Sequence, residues 1–357
     1  MSASTTSPTI ARADLDMPVS DRASLTRSGQ WAVAWRHFRR RRMGMVGLVM
    51  LVALVLMAVF VPILLPFDWQ ATSTATMWNQ PAGTADPTTG QVHWLGTTER
   101  GADLLELLFV ALRTTLAVAL PSALLSVLIG SALGAVAGYY GGLLDTVVMR
   151  VTDLLLAIPA LPAYVILGQY VRWSVFQYAD FGSGSDSMSA WALSLLAATV
   201  LVFTVLGWMG VCRLVRAQVR SLRQQAFIEA ARALGASNRR IIFRHLLPNA
   251  LAPILVASIF LVGEFMIALS ILSYIDIGVN EGTFSVNNGT GGQPSLGSML
   301  ALSNYTGSTW FLANLNPLES MRAYTIILPC LLLLLVVLSI NYIGDAARHA
   351  LDPHRQS

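Results

Sequence analysis

"FIEAARALGASNRRIIFRHLLPN", residues 227–249, is polar and arginine-bearing, yet it lies between two long apolar runs. Across all 357 residues of the chain, 55% are hydrophobic and 12% charged, where a soluble chain carries about a quarter charged. Several runs reach the ~20 apolar residues that cross a bilayer as a helix. The alternating short strands that mark a membrane β-barrel are missing from the pattern. The expected fold class is an all-α polytopic membrane protein, and 227–249 belongs to its longest basic segment between spans.

Working outward from that stretch, the apolar runs predict six transmembrane helices, at 44–66, 114–138, 150–170, 191–212, 249–275 and 323–344. The chain then divides into a tail with a basic end (1–43), a first span (44–66), an outer loop (67–113), a five-helix core (114–344) with a second outer loop (276–322), and a closing tail (345–357). Arginine sets the orientation, because short loops rich in Lys and Arg stay in the cytoplasm. Residues 36–42 read "RHFRRRR". The segment between the fourth and fifth spans holds Arg213, Arg216, Arg220, Arg223, Arg232, Arg239, Arg240 and Arg244 against a single acid, Glu229. Arg348 and Arg355 lie in the tail, whereas the two outer loops are acidic or balanced. Both termini and 213–248 are therefore expected in the cytoplasm. The run from Met43 ends in "FVPILLPFDW" without a small-residue cleavage site, so it reads as a retained anchor rather than a removed signal.

All 23 basic residues are arginine. A Walker A phosphate loop needs its lysine, so ATP hydrolysis is not expected of this chain. Cys212 and Cys330 sit in apolar runs and read as small hydrophobes rather than a disulfide or metal pair. A membrane enzyme would cluster His, Ser or carboxylates at one depth, but His37, His93, His245, His349 and His354 are scattered. An ion-coupled secondary transporter would want inverted repeats and several ionisable groups near mid-depth, and the spans offer essentially one, Glu264. "NGT" at 288–290 and "NYT" at 304–306 fit the glycosylation pattern, which also arises by chance.

Arg213, Arg216, Arg220 and Arg223 recur within about 80° of one helix face, which predicts that the fourth span continues as a helix beyond the membrane. "AFIEAARAL" is strongly helix-forming, and Gly235 is placed to end it with positive φ. Ser237 or Asn238 can cap the helix that follows. Pro248 and Asn249 mark the turn into the fifth span. The product is a helix–glycine–helix projection, although the arginine stripe taken alone better suits a loop that merely obeys the inside rule.

The residue order of this projection resembles the EAA loop of binding-protein-dependent ABC importer permeases: Glu229-Ala230-Ala231, three residues, Gly235, then Leu247-Pro248. His245 stands where the general pattern has isoleucine, and "RHLLPN" is the form similar to the peptide and nickel branch. "WRHFRRRRMGMVGLVMLVAL", "HWLGTTERGADLLELLFVALRTTL", "AGYYGGLLDTVVMRVTDLLLAIPALP" and "NYIGDAARHALDP" extend the likeness to the C-type subunit of dipeptide/oligopeptide permeases, over about residues 31–353. The resemblance implies a type I ABC importer permease fold with an N-terminal anchor helix, in the bacterial inner membrane. It implies a permease subunit of an ATP-driven di- or oligopeptide importer, with nickel, glutathione or another small solute as alternatives. The implied partners are a second permease subunit, one or two ABC ATPase subunits and an extracytoplasmic substrate-binding protein. No cofactor is expected on this chain, ATP and Mg belonging to the ATPases, and no nucleic acid is an expected partner.

In that family the segment 222–248 forms a coupling helix seated on the ATPase, so the resemblance assigns the contact to Glu229, Ala230 and Ala231, with Gly235 and Pro248 shaping the turns. A charged residue within a span costs ~2.5–3.5 kcal/mol on insertion scales. Glu264 lies about 22 Å along a helix from Asn249 and reads either as a pathway-lining acid or as an interhelical hydrogen-bonding group, to Asn341 or to Ser270 of a neighbouring copy. Pro159 and Pro162 are expected to kink the third span, as a gate hinge or as architecture. Asp153 is expected to cap or to pair with Arg150. Gly130, Gly134 and Gly138 have the spacing of close helix contact, within the subunit or against its partner. Three departures from the family, Ala102, Asp276 and the long loop after it, lie on the outer side where a binding protein docks.

Overall fold

The computed structural model describes residues 35–64, 80–87, 90, 92–97, 102–178, 185–275, 294–302 and 320–351. Asp276, both glycosylation triplets, most of the two outer loops and the ends of both tails fall outside these residues. The described helices are α1 (Arg42–Leu64), α2 (Leu104–Tyr140), α3 (Gly142–Leu156), α4 (Ala160–Tyr178), α5 (Ser185–Leu222), α6 (Ala226–Ala233), α7 (Asn238–Tyr274), α8 (Leu296–Leu302) and α9 (Ser320–Leu351). A small antiparallel hairpin pairs β1 (Thr84–Ala85) with β2 (Val92–His93) before α2. Five of the helices are long and apolar enough to cross a membrane, and the pair α3–α4, bent at its break, is together long and apolar enough to count as a sixth, broken span. The chain is an all-α polytopic membrane protein with an N-terminal anchor helix, α1.

The helices outrun the spans that hydropathy marked. α2 begins at Leu104 rather than at 114, because Asp103 caps it: its carboxylate accepts the Glu106 amide at 3.0 Å. Asp103 is itself buried against His93, with 2.8 Å between Nδ1 and Oδ2. Glu106 and Arg113 broke the apolar run, which is why the first turns read as loop. α5 stays helical through Arg213, Arg216 and Arg220 to Leu222, as their spacing predicted.

The expected turn at Pro248 and Asn249 does not occur. α7 runs unbroken from Asn238 to Tyr274, through a π turn at Ile241–Leu246. Proline lacks an amide hydrogen and its ring clashes with the carbonyl four residues back. Here the helix accommodates Pro248 by widening: the Leu247 amide reaches five residues back to Ile242 O, and Asn249 Nδ2 donates to the His245 carbonyl at 2.5 Å. At 37 residues α7 is about 55 Å long, well beyond the ~30 Å hydrocarbon layer.

Two seams of small residues hold the bundle. On α2, Ser122, Ser126, Gly130, Gly134 and Gly138 recur every fourth residue and face α5. The Ser126 hydroxyl donates to Thr204 O at 3.4 Å. A Cβ on Gly130 would stand 2.6 Å from Trp208 O, and one on Gly138 2.8 Å from Arg216 O. The glycine spacing therefore serves packing within the subunit. On the second seam, α1 lies against α9, where a Cβ on Gly47 would meet Ser339 O and Tyr342 Cβ at 2.8 Å. Short α8 is tucked inward, its Leu296 amide donating to Thr115 Oγ1 at 3.2 Å. Through the centre of the core Tyr164 stacks on Phe203, ring centroids 4.5 Å apart, and Phe265 meets Phe203 edge to face at 5.2 Å.

The chain reverses between α2 and α3 at Gly141 and Gly142, whose φ values of 68° and 60° suit glycine alone. α3 is then tied along α5 by ion pairs. Arg216 grips Asp145 with two nitrogens, the Nη2–Oδ2 bond being 2.7 Å. Asp153 pairs with Arg213 and not with Arg150, because the nearest arginine across the packed face belongs to α5. The helix then breaks over Ala157–Pro159 and α4 departs at 88°.

Candidate functional site

The stretch 227–249 folds into a short amphipathic helix docked on the ends of its neighbours. Ile228 is fully buried and plugs α6 into a cluster of Tyr139, Val215, Val219, Ile241 and Leu246. α6 ends in a Schellman turn. Gly235, at φ 76°, donates to Arg232 O at 2.9 Å, and Ala236 donates to Ala231 O at 3.0 Å. Ser237 caps the next helix, its hydroxyl accepting the Arg240 amide at 3.4 Å.

The opposite face of α6 is open. Glu229 and Ala230 are exposed and Ala231 is half-buried. Phe227 and Leu234 flank them at 39% and 88% exposure. Two large apolar side chains standing in the open beside a carboxylate and two alanines make a surface suited to being gripped. Gly235 lies on this surface as its turn. Pro248 does not belong to it, being half-buried within α7.

Tyr139, at the end of α2, holds the projection from beneath. Its hydroxyl donates to Asn238 Oδ1 at 2.6 Å. The guanidiniums of Arg232 and Arg223 lie 5.4 and 5.9 Å from its ring centre. One aromatic side chain thus joins α6, the end of α5 and the start of α7, each arginine within reach of a cation–π contact.

A cavity of about 350 Å³ opens at the α3–α4 elbow, lined by Leu156, Ile158, Tyr164, Gly207, Gly210 and Glu264 among others. Glu264 is exposed and is the one carboxylate in the lining. Within the described residues of this chain Glu264 makes no hydrogen bond to Asn341, and the chain's own Ser270 Oγ donates to Met266 O at 2.8 Å on the same helix. Pro159 sits in the elbow beside the lining residues Ile158 and Ala160, whereas Pro162 faces outward from the first turn of α4.

Sequence reasoning passed over Ile228, Tyr139, Asn238 as an acceptor, and the two Asp–Arg pairs. Ile228 carried a usable signal, being the one aliphatic side chain larger than alanine in the helix AFIEAARA. Tyr139 carried none, since its partners come from three separate helices.

Comparison with known proteins gives the site a context. Residues 130–357 match the family described as binding-protein-dependent transport system inner membrane component, and residues 29–82 match the N-terminal TM domain of oligopeptide transport permease C. The chain is 28% identical to the oligopeptide transport system permease protein OppC of Bacillus subtilis, covering 90% of this chain and 89% of that one. It is 28% identical to the dipeptide transport system permease protein DppC of Alkalihalophilus pseudofirmus, over 92% and 91% of the two chains. The glutathione transport system permease protein GsiD of Pectobacterium atrosepticum is also 28% identical, over 92% of each. A solved chain of the MetNI methionine ABC transporter, inward facing, superposes with a TM-score of 0.44 and 19% identity, over 69% of this chain and 96% of that one. With its family match spanning all but the first 129 residues and an anchor helix ahead of it, this chain belongs to the binding-protein-dependent transport system inner membrane components, the permease subunits of ABC importers.

Proposed function

We propose that the chain is one half of the translocation pathway of an ATP-driven di- or oligopeptide importer, and that α6 is the handle through which a cytosolic ATPase drives it. The observation that carries this reading is the two-sided α6: Ile228 locked into the bundle beneath, and Phe227, Glu229, Ala230 and Leu234 open above. The arginines around α6 put that face in the cytoplasm, with both termini on the same side. Closure of the ATPases on ATP pulls α6, and the pull reaches α5 and α7 through Tyr139 and the docked Ile228. Access to the pathway then alternates. A second permease subunit completes the pathway, and an extracytoplasmic binding protein delivers substrate to the side where α2 and α8 begin.

The named oligopeptide and dipeptide permeases support a peptide substrate. Glutathione is the second reading, because the glutathione permease matches at the same identity and coverage. Either substrate carries an ammonium group, and Glu264 in the elbow cavity is the side chain suited to meet it. The elbow at Pro159 lets α4 swing relative to α3, opening and closing that cavity.

Glu229→Arg is expected to lower the amount of ATPase that co-purifies with the permease by about tenfold, the equivalent of ~1.4 kcal/mol. Unchanged ATPase recovery together with unchanged coupled turnover would remove the handle from this account. Glu264→Gln should leave the assembled complex intact while transport of a dipeptide falls severalfold at fixed ATPase content. Equal loss of assembly and transport would make Glu264 a packing residue instead.

A further inference from the structure

We propose that the segment leading into α1 (residues 35–42) and the adjoining end of α9 form a binding site for the headgroup of an anionic phospholipid. The two are held together by Phe38, which is buried against Ala346 and Ala350, and by the close glycine seam at Gly47. Around that contact Arg39, Arg40, Arg41 and Arg42 are all exposed, as is Arg348 in the last turn of α9. Asp345 is the acid on the same turns of α9, and it is exposed as well.

These arginines differ from those on the α5 side. Arg213 and Arg216 are engaged by Asp153 and Asp145, and Arg223 and Arg232 lie over Tyr139. Among the described residues, Arg39 to Arg42 and Arg348 form no ion pair. Five guanidiniums against one carboxylate leave a strong positive field, and guanidinium is the group whose planar fork matches a phosphate in a bidentate pair.

The surroundings select a lipid over a free anion. Trp35 is half exposed and stacked on Phe38, ring centres 5.7 Å apart and planes 8° from parallel, in the manner of the aromatic residues that sit at headgroup level. Just beyond the arginines, Met43, Val46 and Val49 present an exposed apolar strip along α1. A headgroup phosphate on the arginines would leave its acyl chains lying on that strip. Inorganic phosphate would use only half of the site. Each basic residue next to an anionic bilayer surface contributes about 1 kcal/mol, which favours an anionic headgroup over a zwitterionic one at this cluster.

The test is lipid retention by the assembled transporter, purified in detergent and exposed to an equimolar mixture of phosphatidylglycerol and phosphatidylcholine, then read by native mass spectrometry. The wild type should retain phosphatidylglycerol at least about tenfold over phosphatidylcholine. The pair Arg40→Gln with Arg348→Gln, one change on each side of the Phe38 contact, should erase most of that preference. The same positions changed to Lys should keep only part of it, the charge remaining while the bidentate fork is lost. Equal retention of the two lipids by the wild type would overturn the proposal, and so would an unchanged preference in the Gln pair. Displacement of phosphatidylglycerol by millimolar inorganic phosphate would also overturn it, by reducing the site to a simple anion site. The readout involves neither transport nor ATP turnover, so its failure would leave the proposed function untouched.

Discussion

Gly134→Leu should leave little correctly packed subunit. A Cβ at this position would stand 2.5 Å from the Cys212 carbonyl oxygen and 3.1 Å from the Arg216 amide nitrogen. Both obstacles are backbone atoms of a long helix, so no rotamer change can relieve them. The whole of α5 would have to move away from α2, opening the contacts at Gly130 and Gly138 together with the serine bonds above them. Overpacking in a close-packed core costs about 1–3 kcal/mol, and this site belongs at or above the upper end because the strain spreads along a seam. Gly210→Leu is the control on the facing helix, where an added Cβ would meet nothing within 4 Å. Fluorescence-detected size exclusion of tagged variants from membranes should show Gly134→Leu lost or aggregated and Gly210→Leu monodisperse. Equal monodisperse yields and equal melting temperatures for the two would mean that the α2–α5 seam does not carry the fold.

That seam also shows how far the sequence could be read. Apolar runs of ~20 residues announced the spans, because backbone groups in lipid must be satisfied within a helix. The Gly130–Gly134–Gly138 spacing announced close packing, but not its partner, which lies some eighty residues away on α5. Local rules failed where a longer-range term outweighed them. Pro248 normally ends or kinks a helix, yet a π turn absorbed it, because Ile241, Ile242 and Leu246 gain burial by continuing α7. Asp153 had Arg150 within one turn, yet it pairs with Arg213 because α3 lies along α5. At the site, the exposed half of α6 was legible as a motif of Glu229, Ala230, Ala231 and Gly235. Its buried half was not, since Ile228 means little until α2 and α5 are placed beneath it. Glu264 was legible as a costly charge in an apolar run, but the elbow cavity around it depends on residues a hundred positions earlier.

The second large effect is expected at Tyr139, and it separates two ways of losing transport. Tyr139→Ala removes a buried ring that supports Arg232 on α6 and Arg223 just past α5, and a hydroxyl bonded to Asn238 at 2.6 Å. Truncating a buried aromatic side chain costs about 3–5 kcal/mol. α6 keeps its own Schellman turn, and Ile228 keeps Val215, Val219, Ile241 and Leu246 of its cluster, so the loss falls on how firmly the handle is joined to α2 and α7. An ATPase should still grip the open face of α6, whose residues are unchanged. Its stroke would then be spent in a loose joint, so ATP turnover should persist while transport per ATP falls by about a hundredfold. Tyr139→Phe keeps the ring and both arginine contacts and loses one hydrogen bond, worth about 1 kcal/mol. It should fall between wild type and Tyr139→Ala, by severalfold in transport per ATP. Hydrogen exchange gives a check that does not depend on transport. Amides of 226–237 should exchange faster in Tyr139→Ala than in wild type, with α9 unchanged as an internal standard. If ATP turnover and transport fell in the same proportion, with exchange unaltered, Tyr139 would be a packing residue, and the stroke would have to reach the spans through Ile228 alone.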